Sequence, residues 1–174
     1  MDVLDRILTT LMQEFSDLGQ VEHITRATLR LILAMVLGGL LGYEREVMGK
    51  AAGMRTHMLV CLGAAIFVMA LEQDGAEADA MSRVIQGIAA GVGFLGAGTI
   101  LKGQNISDVK GLTTAAGLWA SAAIGVAVGL GREATAVLST VIVLVVLHLM
   151  PLLVDPGART KPDDQADEKP SDRQ

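Results

Sequence analysis

Aromatic residues, cysteine and proline are all scarce in this sequence. Its 174 residues include three Phe, one Trp, one Tyr, four Pro and one cysteine, Cys61. A single cysteine excludes an internal disulfide, and we interpret Cys61 as a small buried hydrophobe. Charged residues make up 19% of the chain and hydrophobic residues 51%. Because soluble domains usually carry about 25% charged residues, this composition disfavours a soluble globular fold.

Several function classes lack the residues that they need. Basic patches interleaved with aromatic residues are absent, so the sequence gives no indication of nucleic-acid binding. It also has no Ser-His-Asp or Cys-His combination, phosphate-binding loop or helical His pair, so we expect no catalytic residues and no enzymatic activity. The net charge of −5 arises partly in a polar tail, residues 155–174, which we expect to be disordered and cytoplasmic.

Long apolar stretches separated by short polar segments dominate the rest of the sequence. A helix needs about 20 apolar residues, or about 17 at the lower limit, to cross a hydrocarbon core. The sequence therefore predicts an all-α fold, a polytopic transmembrane bundle of about five glycine-rich helices that occupies residues 27–154. The predicted spans are 27–43, 56–71, 84–101, 112–130 and 134–154.

Residues 1–26 precede the first span and have a different pattern. Apolar side chains recur there at helical spacing, which predicts an amphipathic helix on the membrane surface or on the bundle. We favour the bundle, because the polar face of this helix is not basic. The apolar positions are Leu4, Ile7, Leu8, Leu11, Phe15 and Leu18.

The distribution of Lys and Arg predicts the orientation, since these residues concentrate in cytoplasmic loops. With the N-terminus outside, the cytoplasmic side holds Arg45, Lys50, Arg55, Lys102, Lys110, Arg159, Lys161, Lys169 and Arg173. The outer side holds Arg6, Arg26, Arg30, Arg83 and Arg132. We therefore expect an outside N-terminus and a cytoplasmic C-terminus.

Small residues at four-residue spacing predict where helices approach closely in lipid. The pairs are Gly38 with Gly42 and Gly87 with Gly91, and the longest stripe is Gly117, Ser121, Gly125 and Gly129. A bundle of five short spans can leave such a face uncovered. We therefore expect a homo-oligomer, with a dimer favoured.

The third span has an unusual density of glycine at Gly91, Gly93, Gly96 and Gly98. An interior glycine costs about 1 kcal/mol relative to alanine in a helix. We favour a helix that neighbours touch on several sides. The alternative is an interrupted helix whose backbone lines a polar path.

Four segments together resemble a known family. Residues 42–46 read GYERE, 50–57 read KAAGMRTH, 93–100 read GFLGAGTI, and 111–116 read GLTTAA, followed by WASA at 119–122. Their sequence, order and separation resemble the MgtC/SapB family over about residues 30–150. The sequence differs from the family at Lys110, where the family usually has Arg. It also has only a short polar tail after the last span, as in the shorter SapB-like members.

The resemblance implies a multi-pass protein of the bacterial inner membrane that is linked to magnesium or cation homeostasis. We expect a regulator, or a protein that binds another membrane complex. The alternative is a direct transporter or channel for Mg²⁺ or another small solute.

Polar residues near the predicted cytoplasmic ends of the spans are the candidate site. We regard Glu44 and Arg55 as the leading pair, because an ionisable group near the bilayer is costly unless it is paired or hydrated. A structural ion pair between the first two spans is the alternative reading. The remaining candidates are Arg45, Thr56, His57, Asn105, Lys110, Thr113 and Thr114.

A magnesium site would need several oxygen ligands in a near-octahedral array. The weak candidates are Glu44, Glu46 and Asp108, and no two carboxylates lie within the predicted spans. We therefore expect no dedicated metal cage, although Mg²⁺ is a possible ligand.

Overall fold

The computed structural model describes residues 3–14, 21–73, 78–102 and 109–154. The predicted tail, 155–174, and the candidates Asn105 and Asp108 lie outside the described residues. Within these ranges the chain forms six helices and one short strand pair, which confirms the predicted all-α class. The elements are α1 Val3–Glu14, α2 Val21–Val47, α3 Met54–Gln73, α4 Ala78–Gly98, β1 Leu101–Lys102, β2 Val109–Lys110, α5 Leu112–Gly129 and α6 Glu133–Val154.

The predicted spans correspond to α2–α6. Among the described residues, four helices are long and apolar enough to cross a membrane, namely α2, α3, α4 and α5. Helix α6 is apolar over Glu133–Leu149, and its backbone remains helical to Val154. Helices α2 and α4 each begin six residues before the predicted span, because the polar first turns continue the helix outside the apolar stretch.

Helix α3 lies between the glycine faces of two other helices. A Cβ built on Gly38 would lie 2.7 Å from the carbonyl oxygen of His57, and one on Gly42 would lie 2.5 Å from the Cα of Met54. From the other side, Gly125 of α5 contacts the backbone of Cys61 where a Cβ would stand. Without these side chains the three backbones approach closely, which increases dispersion contact between them.

The bundle core consists of small and aliphatic side chains from α2, α3, α5 and α6. Its central members, Leu41, Cys61, Ala65 and Val128, are fully buried. A second, smaller cluster joins α3, α4 and α5 around Leu118 and Ala122. The core therefore centres on the contact between α3 and α5, and α4 lies at its edge.

The strand pair connects α4 to α5, and the sequence pattern did not predict it. Leu101 pairs with Lys110 and Lys102 with Val109 in antiparallel register. Two-residue strands are too short for an alternating pattern to be recognised. The pair ends at Gly111, whose φ of 97° lies in the left-handed region, and the carbonyl oxygen of Thr99 lies where a Cβ would stand. Only glycine fits both conditions, so Gly111 fixes where α5 begins.

Candidate functional site

A buried arginine, Arg45, organises one end of the bundle. Arg45 is only 3% exposed, although its side chain carries a positive charge. Its Nε donates to a carboxylate oxygen of Glu44, and its Nη2 lies 3.4 Å from the carbonyl oxygen of Leu147 on α6. Buried charges are costly unless they are paired, and Arg45 has both a counter-charge and a backbone acceptor. We call Glu44, Arg45 and His57 the Arg45 cluster.

Glu44, which the sequence grouped with Arg55 as the leading pair, forms its ion pair with its neighbour Arg45. The two arginines differ because they lie on different sides of their helices. Arg45 follows Ala34, Gly38 and Leu41 on the face of α2 that packs inwards, so its side chain reaches the core. Arg55 lies on the opposite side of α3 from the buried His57 and is exposed.

His57 contributes the second buried polar group of the cluster. It is fully buried, and its Nδ1 lies 3.0 Å from the carbonyl oxygen of Gly53, one turn earlier in the chain. Its Nε2 lies 3.3 Å from where a Cβ on Gly117 would stand, so the α5 glycine makes room for the ring. Among the described residues, neither this Nε2 nor Oε1 of Glu44 has a hydrogen-bond partner. The cluster can therefore still accept or donate hydrogen bonds.

Glu46 has a local role at the start of α3. Its Oε2 accepts a hydrogen bond of 2.8 Å from the backbone N–H of Met54, the first residue of that helix. A carboxylate at this position satisfies a free N–H and interacts favourably with the helix dipole. Among the described side chains, no three His, Cys, Asp or Glu residues are grouped so that they could hold a metal ion.

The other predicted polar residues divide between buried and exposed positions. Thr114 is buried on α5, whereas Thr113 and Lys110 are exposed. Thr56 is exposed beside Arg55 on α3. The structure therefore places Thr114 in the bundle interior and leaves Thr113 and Lys110 on the surface.

A second charged cluster at the opposite end of the bundle was missed by sequence reasoning. Arg30 of α2 forms an ion pair with Glu72, lies 3.6 Å from Glu133, and donates a hydrogen bond of 3.0 Å to the carbonyl oxygen of Gly129. These contacts tie together the ends of α2, α3, α5 and α6. The available signal was that Arg30, Glu72 and Glu133 all lie at span ends on one predicted side.

The predicted packing glycines have two different environments. Gly38, Gly42, Gly117, Ser121 and Gly125 are all buried in the bundle. Of the α4 glycines, Gly96 alone has a neighbour among the described residues, with Ala115 3.3 Å from where its Cβ would stand.

The other α4 glycines do not have the close helix contacts that we favoured from the sequence. Nothing among the described residues lies within 4 Å of where a Cβ on Gly91, Gly93 or Gly98 would stand. Helix α4 is nevertheless continuous from Ala78 to Gly98, so the alternative of an interrupted helix is not observed either. Its glycines instead leave two open surfaces.

One of these open surfaces is the side of α4 that points away from the rest of the bundle. We call it the outer face of α4 and define it by Ala90, Gly93, Phe94, Ala97 and Gly98, which are all exposed. Phe94 is 81% exposed. The face combines a large aromatic side chain with small residues at helical spacing, the composition at which transmembrane helices approach each other closely.

The long apolar helices, their glycine contacts and the confinement of buried charges to the two ends of the bundle define a polytopic α-helical membrane protein. The chain belongs to the MgtC family, whose model matches residues 31–155. It is similar to Protein SrpB of Synechococcus elongatus, with 44% identity over 129 residues, which are 68% of this chain and 71% of that protein.

Two further relatives are longer than this chain. Protein MgtC of Salmonella typhimurium strain LT2 is 46% identical over 117 residues, which cover 67% of this chain and 48% of that protein. The protein named "Putative magnesium transporter YhiD" of Escherichia coli strain K12 is 40% identical over 129 residues, which cover 70% and 59% of the two chains. The chain thus spans only about half of the length of these two relatives. No solved structure matches the chain.

Proposed function

We propose that the protein serves magnesium homeostasis in the bacterial inner membrane as a regulator that binds another membrane helix, and that it does not itself transport Mg²⁺. The link to magnesium comes from family membership and from the name of the relative YhiD. The proposed orientation, with the Arg45 cluster on the cytoplasmic side, follows from the Lys and Arg distribution.

The tight packing between the two charged clusters is the strongest argument that the protein does not transport Mg²⁺. Arg30 and Arg45 are 15 residues apart on α2, which corresponds to about 22 Å along the helix. The interior over that distance is filled mainly by apolar side chains such as Leu41 and Val128, which are fully buried. Its buried hydroxyl groups, those of Ser121 and Thr140, donate to backbone carbonyl oxygens of their own helices. Mg²⁺ keeps its water or replaces it with oxygen ligands, and this apolar packing offers neither.

The outer face of α4 supports the partner-binding part of the proposal. A glycine in the middle of a helix lowers its intrinsic stability, so exposed glycines are costly unless another backbone approaches them. Gly93 and Gly98 have no such neighbour within the described residues. A transmembrane helix of a partner would use that space, whether it belongs to another membrane complex or to a second copy in a homodimer.

Flux and growth measurements test the proposal together. Purified protein in liposomes that contain a Mg²⁺-sensitive dye should give no uptake above protein-free liposomes. Saturable Mg²⁺ uptake by liposomes with the purified wild-type protein would overturn the proposal. It would support the alternative of a transporter.

The variant Gly93→Leu adds bulk to the outer face, where no described residue lies within 4 Å of the added Cβ, so it should fold. In a strain that needs this protein for growth at low magnesium, we expect Gly93→Leu to abolish growth support. The matched control is Ala123→Leu, which places the same side chain on an exposed position of α5. Equal growth of both variants would contradict a binding role for this face.

A further inference from the structure

A deep groove separates α3 from α4 on the second open surface. Its volume is about 710 Å³. The α3 wall includes Leu59, Gly63 and Phe67, and the α4 wall includes Ile88 and Gly91. This volume is within the range of about 300–1,000 Å³ that is common for small-molecule sites. The groove is distinct from the outer face of α4, because it occupies the side of α4 that faces α3.

Three glycines hollow out the groove. Gly63 of α3 and Gly87 and Gly91 of α4 all line it, and none has a described atom within 4 Å of where a Cβ would stand. Helices that pack through glycine normally use it to bring backbones together, as α5 does against α3. Here, in contrast, the glycines leave a groove open between two helices. The open space therefore results from the missing side chains at these three glycine positions.

Among the described residues, the polar side chains of the groove are confined to one end. Arg55 and Thr56 line it in the first turn of α3, and the other lining residues are apolar or glycine. A basic side chain in the first turn opposes the helix dipole, so Arg55 does not stabilise α3 in the usual way. The carboxylate of Glu46 already occupies the positive end of the helix, so Arg55 is the group that can attract an anion at this end of the groove.

The length of the groove suits a lipid chain. From Arg55 to Phe67 the groove extends 12 residues along α3, or about 18 Å, close to the roughly 15 Å depth of one leaflet. A phospholipid with its headgroup at Arg55 would therefore place its acyl chain along the apolar part of the groove.

We infer that this groove binds one anionic phospholipid, with an acyl chain along α3 and the phosphate on Arg55. Arginine suits this role because its guanidinium is always charged and matches the oxygens of a phosphate. The glycines accommodate the chain, and Phe67 contacts its far end. The bound lipid fills the space between α3 and α4 and thereby supports the position of α4 on the bundle.

A tryptophan reporter in the groove tests this binding. The chain contains a single tryptophan, Trp119, which is on α5. The variant Phe67→Trp with Trp119→Phe therefore places the only tryptophan at the apolar end of the groove. The protein is reconstituted in phosphatidylcholine vesicles with increasing amounts of phosphatidylglycerol that is brominated on its acyl chains, and quenching of fluorescence is measured. A specific site should give quenching that saturates at a low fraction of the brominated lipid.

Two variants separate the headgroup contact from the acyl-chain contact. In the reporter background, Arg55→Gln should raise the fraction of phosphatidylglycerol needed for half-maximal quenching by about fivefold. Gly91→Leu should fill the groove and remove the saturable component altogether. The matched control is Lys50→Gln, which removes an exposed cation at the same end that does not line the groove, and it should change the fraction by less than about twofold.

Quenching that increases linearly with the lipid fraction would show bulk lipid only and would overturn the inference. Equal saturation with brominated phosphatidylcholine, which has the same phosphate but no net charge, would overturn the inference that the groove selects an anionic phospholipid. Loss of quenching, together with a disulfide between two copies of a separate Phe67→Cys, Cys61→Ala variant, would show that a second copy fills the groove and would overturn the inference. Native mass spectrometry of the unmodified protein provides an independent measure, and retention of one phosphatidylglycerol in preference to phosphatidylcholine is the expected result.

Discussion

Helices α5 and α4 are both rich in small residues at helical spacing, but they use them in opposite ways. Nine residues of α5 are buried, including Gly117, Gly125 and Gly129, whereas α4 buries only Val92 and Gly96 among its described side chains. Each α5 glycine stands against α3, while Gly87, Gly91 and Gly93 of α4 face open space. A small-residue stripe therefore indicates that something approaches the helix closely, but it does not identify what approaches.

The two sides of α3 show the same contrast. His57, Cys61, Ala65 and Val68 form a face that α2 and α5 enclose completely. Arg55, Leu59, Gly63 and Phe67 form the face that lines the groove. One helix thus contributes both to the rigid interior and to an open surface, and substitutions on its two sides should have very different consequences.

The largest effect is expected at the enclosed charged cluster. Arg45→Met should lower the free energy of unfolding by about 3 kcal/mol, because it leaves the carboxylate of Glu44 without its counter-charge in a poorly hydrated site. The exposed Arg55→Met should change it by less than about 0.5 kcal/mol. Unfolding by SDS in mixed micelles measures both values. Equal effects would show that Arg45 is not buried as described.

A smaller but still clear loss is expected where glycine contacts a backbone. In Gly125→Ala the new methyl group would meet the carbonyl oxygen of Cys61, and we expect a loss of about 2 kcal/mol from overpacking. The same SDS titration measures it. A neutral result would mean that α5 and α3 separate easily, and the contrast with α4 would then disappear.

The smallest effect should have the opposite sign. Gly93→Ala adds a methyl group to an open position of α4, so it should raise the free energy of unfolding by about 0.5 kcal/mol through helix propensity alone. The comparison with Gly125→Ala under identical conditions is matched, since both change glycine to alanine within a span. A loss of stability in detergent-purified monomer would indicate that Gly93 has a neighbour in this chain.

Much of the fold could be predicted from the sequence, because the apolar stretches and their polar breaks follow directly from the cost of placing charge in lipid. The α5 stripe likewise lies against a helix, as its spacing indicates. The pairing of Glu44 could not be predicted from charge alone, because Arg45 and Arg55 are both close to it in sequence. Which of them pairs with Glu44 depends on the side of the helix on which each side chain lies. The strand pair before Gly111 was too short to leave a pattern.

The candidate site was predictable as a region but not as a set of contacts. His57 and Thr114 are distant in sequence and are both buried, whereas Lys110 and Thr113 are exposed next to Thr114. Neighbouring residues of one motif thus have different environments, because successive positions on a helix point in different directions. The second charged cluster, formed by Arg30, Glu72 and Glu133 with the carbonyl oxygen of Gly129, brings four helix ends together, which depends on how the helices are arranged.

Crosslinking in native membranes tests most directly whether the outer face of α4 is a binding surface. A photoreactive residue is placed at Phe94, which is 81% exposed on α4, and separately at Leu138, which is 61% exposed on α6. We expect a discrete protein adduct from position 94, whose mass distinguishes a second copy from another membrane protein, and lipid adducts alone from position 138. Lipid adducts alone from both positions, or a protein adduct only from position 138, would contradict a binding role for the outer face of α4.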